Sequence, residues 1–224
     1  MRVVLFGATG MLGQGVLREC LLDARVTRVL SVGRAPSGRT HAKLEDLVLR
    51  DLGDYTAVEE RLRGFDACFY CLGISSAGLA EAEYRGITVD LTLAAANALL
   101  RTNPRLRFNF ISGAGADGTE RGRTMWARVK GRAENALLAM PFEQVTIFRP
   151  GIIQPLHGIT SRTASYRVLY KVFAPLFPVI DAIAPGRVTT TERVGRAMLH
   201  VAAAGSAKRI LDTPDINAAA AASG

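Results

Sequence analysis

Gly7-Ala8-Thr9-Gly10-Met11-Leu12-Gly13 is the stretch that decides how this chain reads. It follows a short apolar run, Arg2–Phe6, and opens a run with helical spacing, Met11–Leu22, in which Leu12, Val16, Leu17, Cys20 and Leu21 recur on one face. Glycine suits such a strand-to-helix turn for three reasons. The first glycine makes the tight turn, the second lets backbone approach a pyrophosphate, and the third lets helix and strand pack closely. The helix start then offers free N–H groups and the positive end of its dipole to phosphate. Gly7, Thr9, Gly10, Met11, Leu12 and Gly13 are therefore the expected phosphate cradle; the alternative is a tight turn that binds nothing. The spacing, GxxGxxG, departs from the GxGxxG fingerprint.

Working outward, strand-like and helix-like segments keep alternating. Val29–Val32, Leu47–Leu49, Ala67–Cys71, Arg107–Ile111 and Val145–Phe148 read as strands, and Ile210-Leu211 as a last edge strand. Asp54–Leu62, Leu79–Leu100, Thr124–Met140 and Thr190–Ala203 carry helical patterns. Continuous apolar strands separated by helices indicate an α/β fold, a parallel sheet covered on both faces. Residues 151–189 break the rhythm and hold four of the nine prolines, which predicts an insertion capping the carboxyl edge of the sheet. From Asn217 the chain is alanine-rich and is expected to be frayed. No linker or repeat divides the chain, so 1–224 is expected to be one domain.

Composition removes several classes. At 224 residues with 49% hydrophobic and 21% charged content, the chain is neither disordered nor fibrous. No stretch approaches the roughly 20 apolar residues of a membrane span, and the N-terminus has no long apolar region ahead of a cleavage site. Three cysteines are too few for a disulfide framework, and a reducing, cytoplasmic setting is expected. Cys68 and Cys71 stand three apart on a strand, so their thiols should diverge to opposite faces instead of forming a metal pair; no metal site is expected. The net charge of +8 comes almost wholly from arginine, because only Lys43, Lys130, Lys171 and Lys208 are lysines.

The second strand ends Ser31-Val32-Gly33-Arg34, and no acidic residue occurs from Val26 to Ala42. An acid here would take a ribose 2′-hydroxyl, whereas arginine holds a 2′-phosphate. Arg34 therefore favours NADP(H) over NAD(H). Arg39 and Lys43 either assist or are plain surface charge. Asp51-Leu52, after the third strand, either accepts from an adenine amino group or caps the next helix. Cys71-Leu72-Gly73, after the fourth strand, would lie against the adenosine half of a dinucleotide.

GATGMLG, Cys-Leu-Gly after the fourth strand, Ser112 after the fifth, Lys130 on the next helix and Phe148-Arg149-Pro150-Gly151 after the sixth together resemble the short-chain dehydrogenase/reductase superfamily. The resemblance is to its atypical, epimerase-like NAD(P)-binding branch, which includes Tat-interacting-protein-like oxidoreductases, and it covers residues 1–212. It implies a single Rossmann-type, doubly wound parallel sheet with a small C-terminal cap. It also implies a Ser that orients a substrate carbonyl, a Tyr that moves a proton, and a Lys four residues later that binds the nicotinamide ribose. Ser112 and Lys130 match the Ser and the Lys, and Pro150 and Gly151 fall beside the cofactor.

Trp126 stands where the Tyr should be. An indole N–H donates only and does not titrate, so Trp126 is no acid or base. It either stacks on nicotinamide or substrate, or packs against the cap. Substitute proton sources are His157, in Gln154-Pro155-Leu156-His157-Gly158, and Tyr84. Tyr166 and Tyr170 read as core or substrate wall within the cap. Asp117 reads as a turn residue in preference to a substrate contact, and Thr189-Thr190-Thr191-Glu192 as a helix cap.

Three functions follow. The first is an NADP(H)-dependent oxidoreductase or epimerase-like enzyme on a small carbonyl or sugar-like substrate. The second is a non-catalytic NADP(H)-binding sensor or partner-binding protein, suggested by Trp126. Nucleic-acid binding is the weakest, because the arginines are scattered and lack aromatic platforms; no nucleic-acid partner is expected. The chain is expected to be a monomer or homodimer without integral membrane association.

Overall fold

The computed structural model describes residues 1–160 and 186–223. Its centre is a parallel sheet of seven strands: β1 Arg2–Phe6, β2 Arg28–Gly33, β3 Leu44–Val48, β4 Ala67–Tyr70, β5 Arg107–Ile111, β6 Gln144–Arg149 and β9 Ile210–Asp212. Their spatial order is β3-β2-β1-β4-β5-β6-β9, every pairing is parallel, and the sheet is of the Rossmann type. A separate parallel pair joins β7, Ile152–Gln154, to β8, Val188–Thr190.

The β-branched and aromatic runs form strands because both faces of each strand are buried. Val4, Phe6, Cys68, Tyr70, Phe108, Phe110, Val145 and Ile147 point into one core. It is covered by α3, Leu91–Thr102, and α4, Met125–Leu138. Val3, Leu5, Ala67, Phe69, Ile111 and Phe148 point into the other. That side is covered by α1, Met11–Leu22, and by α5, Thr191–Ala204, with α6, Thr213–Ala221, behind it. The first core is dominated by rings: Tyr70 lies 5.1 Å from Phe6, 6.0 Å from Phe108 and 5.9 Å from Phe110 between centroids. Such pairs contribute about 0.5–1.5 kcal/mol each beyond area burial. Cys68 lies in the first core and Cys71 against the second, so the two thiols diverge as the strand period requires.

Several elements depart from the sequence reading. The third strand begins three residues early, at Leu44, because its edge position leaves Leu44, Glu45 and Asp46 half-buried and without an apolar signature. Asp54–Leu62 is a 3₁₀ helix over Thr56–Leu62, with Asp54 accepting from the Thr56 N–H at 2.9 Å and Oγ1 at 2.7 Å. The single helix expected over Leu79–Leu100 is broken: α2, Glu81–Arg85, runs into a π-helical turn, Gly86–Asp90, before α3. The alanine tail is not frayed through most of its length. α6 starts with a capping box between Asp212 and Asp215, and Ile216 and Ala220 are buried. Of the expected cap, Gly151–Thr160 and Gly186–Thr189 are described; Tyr166 and Tyr170 lie outside the described residues.

Candidate functional site

The strand order reverses direction between β1 and β4, where the crevice at the carboxyl edge of such a sheet binds ligands. The glycine turn sits there. Gly7 has φ +79°, and a Cβ on it would stand 2.7 Å from the Leu72 nitrogen and 2.8 Å from the Cys71 carbonyl. A Cβ on Gly13 would meet the Gly7 carbonyl oxygen at 2.0 Å. Both positions are closed to any side chain, and the Cys71-Leu72-Gly73 backbone closes against the turn. At Gly10 the α1 N-cap has no side-chain hydrogen bond, so the first N–H groups of α1 face outward without a protein cap. These features fit a dinucleotide pyrophosphate: close backbone, open donors and a positive helix end.

Along the same edge, the motifs meet one another. The position of a Gly73 Cβ lies 3.9 Å from Lys130 Nζ. Lys130 Nζ donates to the Ile111 carbonyl at 3.3 Å and lies 5.1 Å from the Phe110 ring centroid. Ser112 follows Ile111, and its N–H donates to the Phe148 carbonyl at 2.8 Å. Ala114 N–H reaches the Pro150 carbonyl at 3.1 Å, and Gly151 abuts Ala114 and Thr213. Ser112 and Lys130 are thus brought together with Gly73, Pro150 and Gly151. The Ser112 hydroxyl is buried and has no hydrogen-bond partner among the described residues. Burial pushes the Lys130 ammonium down to about 8, with the nearby Glu134 carboxylate partly opposing the shift.

Trp126 stands one turn before Lys130 on α4. Its indole lies over the loop that follows Ser112: it would be 3.9 Å from a Cβ at Gly113 and 3.5 Å from one at Gly115. That loop is built firmly onto α4. The Asp117 carboxylate accepts from Thr119 and from the Gly122 N–H, which confirms it as a turn residue. Its carbonyl oxygen occupies space that leaves Gly131 no room for a side chain.

At the adenosine end, Arg34 is exposed just beyond β2, and β3 continues beside it through a Leu49 N–H to Gly33 carbonyl bond of 2.9 Å. Asp51 closes a turn by accepting from the Gly53 N–H at 2.7 Å, while Leu52 is buried in the core, so its side chain lines no cleft. Lys43 does not assist a phosphate. Its ammonium donates to the carbonyls of Leu21 and Asp23 at 3.1 and 2.8 Å, holding the C-terminal end of α1, the far end from the glycine turn.

Two candidate proton sources have settings of their own. His157, with φ +56°, pairs with Glu192 at 2.6 Å at the start of α5. That bond holds the Glu192 carboxyl below its ordinary range. Tyr84 is buried in the core on the α3–α4 side. One residue beside the site escaped the sequence reading. Glu134, 1% exposed, follows Lys130 by one helical turn and receives Arg149 in a two-pronged ion pair, with Arg149 Nε at 3.0 and 3.2 Å from its two oxygens. A Glu four residues after a Lys was visible in the sequence, but that spacing ordinarily marks a solvent-exposed pair.

Residues 3–126 match the NAD dependent epimerase/dehydratase family. The chain is 31% identical over 206 residues to the protein fmp52, mitochondrial, of Emericella nidulans, covering 88% of this chain and 85% of that one. It is 26% identical over 201 residues to the protein HTATIP2 of Rattus norvegicus, covering 88% and 79%. A solved oxidoreductase of the short chain dehydrogenase/reductase family from Burkholderia thailandensis superposes with TM-score 0.68 at 18% identity, over 97% of this chain and 93% of that one. The mitochondrial names of the fungal relatives overturn the expectation of a cytoplasmic setting, which rested on unpaired cysteines; unpaired thiols do not tell one reducing compartment from another. Among the described residues no helix is long and apolar enough to cross a membrane.

Proposed function

This chain belongs to the NAD dependent epimerase/dehydratase family, and from that premise we propose that it is an NADP(H)-dependent oxidoreductase or epimerase-like enzyme acting on a small carbonyl or sugar-like substrate. The observation that carries the reading is the orphaned, buried Ser112 hydroxyl beside the half-buried Lys130 ammonium, on the edge where the glycine turn opens. A buried hydroxyl without a partner costs stability unless something arrives to pair with it, and a substrate oxygen is the natural candidate.

The cofactor, when bound, supplies the redox chemistry. Gly7, Thr9, Gly10, Met11, Leu12 and Gly13 hold its phosphates, and Arg34 takes a 2′-phosphate with its guanidinium fork. Asp51, Cys71, Leu72 and Gly73 border the adenosine half through backbone and turn atoms, and Pro150 and Gly151 border the nicotinamide half. Lys130 holds the ribose beside it. Ser112 donates its hydroxyl hydrogen to the substrate carbonyl and so orients it. Trp126 walls the site and offers one N–H. The proton comes from water, through Ser112, or from His157, whose pair with Glu192 engages one ring nitrogen only; Tyr84 is buried in the core.

Trp126 also supports a second reading, a cofactor-binding sensor without turnover, since no titrating group occupies its place. The two readings separate in one experiment. Purified protein is given NADPH and a panel of aldehydes, ketones and keto-sugars, and absorbance at the nicotinamide band is followed. Consumption with any substrate supports the enzyme; tight NADPH binding with no consumption across the panel supports the sensor.

A further inference from the structure

On an isolated helix, Lys130 and Glu134 would form an ordinary i, i+4 ion pair. Here they do not. Among the described residues no ion pair joins them, although Glu134 is close enough to act on the charge of Lys130. The Glu134 carboxylate is buried, and both its oxygens are taken by Arg149 from the end of β6, through Nε and Nη2. Lys130 instead turns to the Ile111 carbonyl and the Phe110 ring, toward Gly73 and the carboxyl edge. A guanidinium can do this because its planar fork matches a carboxylate in two places at once; an ammonium is a point charge and cannot.

We propose that Arg149 is a positioning residue: by occupying both oxygens of Glu134, it keeps Lys130 out of an intrahelical ion pair and aimed at the cofactor edge. The inference rests on the reading of Lys130 as the ribose-binding ammonium. The charged groups around Lys130 are Glu134 on its own helix, Arg149 on β6, and beyond them Asp212 on β9, which acts on Arg149. β5 presents a carbonyl and a ring but no charge. Among the described residues Glu134 is thus the one anion that acts on Lys130, and Arg149 sets how much of it Lys130 feels.

The chain has four lysines, so selective 13Cε-lysine labelling of the full protein gives four side-chain signals, and K130R assigns one by its loss. In the wild type that signal should titrate near pH 8. R149K keeps the charge but loses the fork, so Glu134 turns back to Lys130 and the midpoint should rise by about one pH unit. E134Q removes the anion, and the midpoint should fall by about as much. A merely structural role would loosen the site in both variants and move both midpoints toward the ordinary lysine value. Opposite shifts, with near-ultraviolet circular dichroism retained, support the proposal; shifts of one sign, or none, overturn it. If E134Q does not fold, R149K is read together with acylation of the Lys130 amine: a raised midpoint with acylation at high pH no faster than in the wild type supports the proposal, while no rise, or a rise with faster acylation of a loosened site, overturns it. The titration is run without cofactor, so it stands apart from the functional reading. That reading fails separately if K130M binds NADPH as tightly as the wild type.

Discussion

The two halves of the carboxyl edge are built on opposite plans. The glycine turn works by lacking side chains: Gly7 and Gly13 are closed to a Cβ by backbone, and the donors are N–H groups of α1. The Ser112–Lys130 half works by burying side chains at a cost: a hydroxyl without a partner among the described residues and an ammonium pushed well below its usual range. Among the described residues, the first half leaves no buried polar side-chain atom without a partner. The second stores a cost that the proposed substrate and cofactor would relieve. Binding and chemistry therefore depend on different kinds of residue, and substitutions should separate them.

The sharpest break is Gly13→Ala. A Cβ there would meet a carbonyl oxygen at 2.0 Å, so the turn must deform, at about 1–3 kcal/mol or more. Dinucleotide affinity by calorimetry should fall beyond detection. Gly10→Ala, whose Cβ meets the same oxygen at 3.3 Å, should do markedly less. In the other half, Ser112→Ala should show the reverse pattern. Thermal stability should stay level or rise, because the lost hydroxyl has no partner among the described residues, while turnover on any accepted carbonyl should drop by about 100-fold. A marked loss of melting temperature in this variant would contradict the stored-cost account.

Arg34→Ser tests the adenosine end. Loss of a charge-assisted contact should weaken NADPH by roughly 10- to 100-fold and leave NADH unchanged. Equal weakening of both cofactors would remove Arg34 from the 2′-phosphate. The smallest effect concerns pH. The Lys130 ammonium lies near 8 when folded and at 10.5 when free, so below pH 8 it is charged in both states and its burial penalty is fully present. Between those values the unfolded chain binds more protons, and stability should climb with pH, by something on the order of 1–3 kcal/mol. Lys130→Met should flatten that climb in denaturant titrations between pH 8 and 10.5.

The same contrast explains what was legible in the sequence. The glycine turn, the central strands and the two buried faces follow from local spacing and appear where the spacing puts them. Ser112 and Lys130 could be placed on their elements, and the structure brings them together. Their environment could not be read, because burial and the capture of Glu134 by Arg149 join α4 to β6 across 15 positions. Lys43 and His157 have partners that were hidden for the same reason. Each is a lone polar residue in a loop or at its edge, and its partner, the end of α1 for one and Glu192 for the other, is chosen by tertiary structure. The third strand failed because an edge strand carries little apolar signal, and the tail because its capping box begins before the alanines.

The central claim is that the Ser112–Lys130 half holds the nicotinamide of an NADPH bound at the glycine turn. Trp126 is the only tryptophan, and its indole lies over the loop after Ser112, so its fluorescence reports that place alone. Titration with NADPH should quench it saturably, with energy transfer to the reduced nicotinamide, and at lower concentration than NADH. Calorimetrically proven NADPH binding that leaves Trp126 emission unchanged would contradict the account.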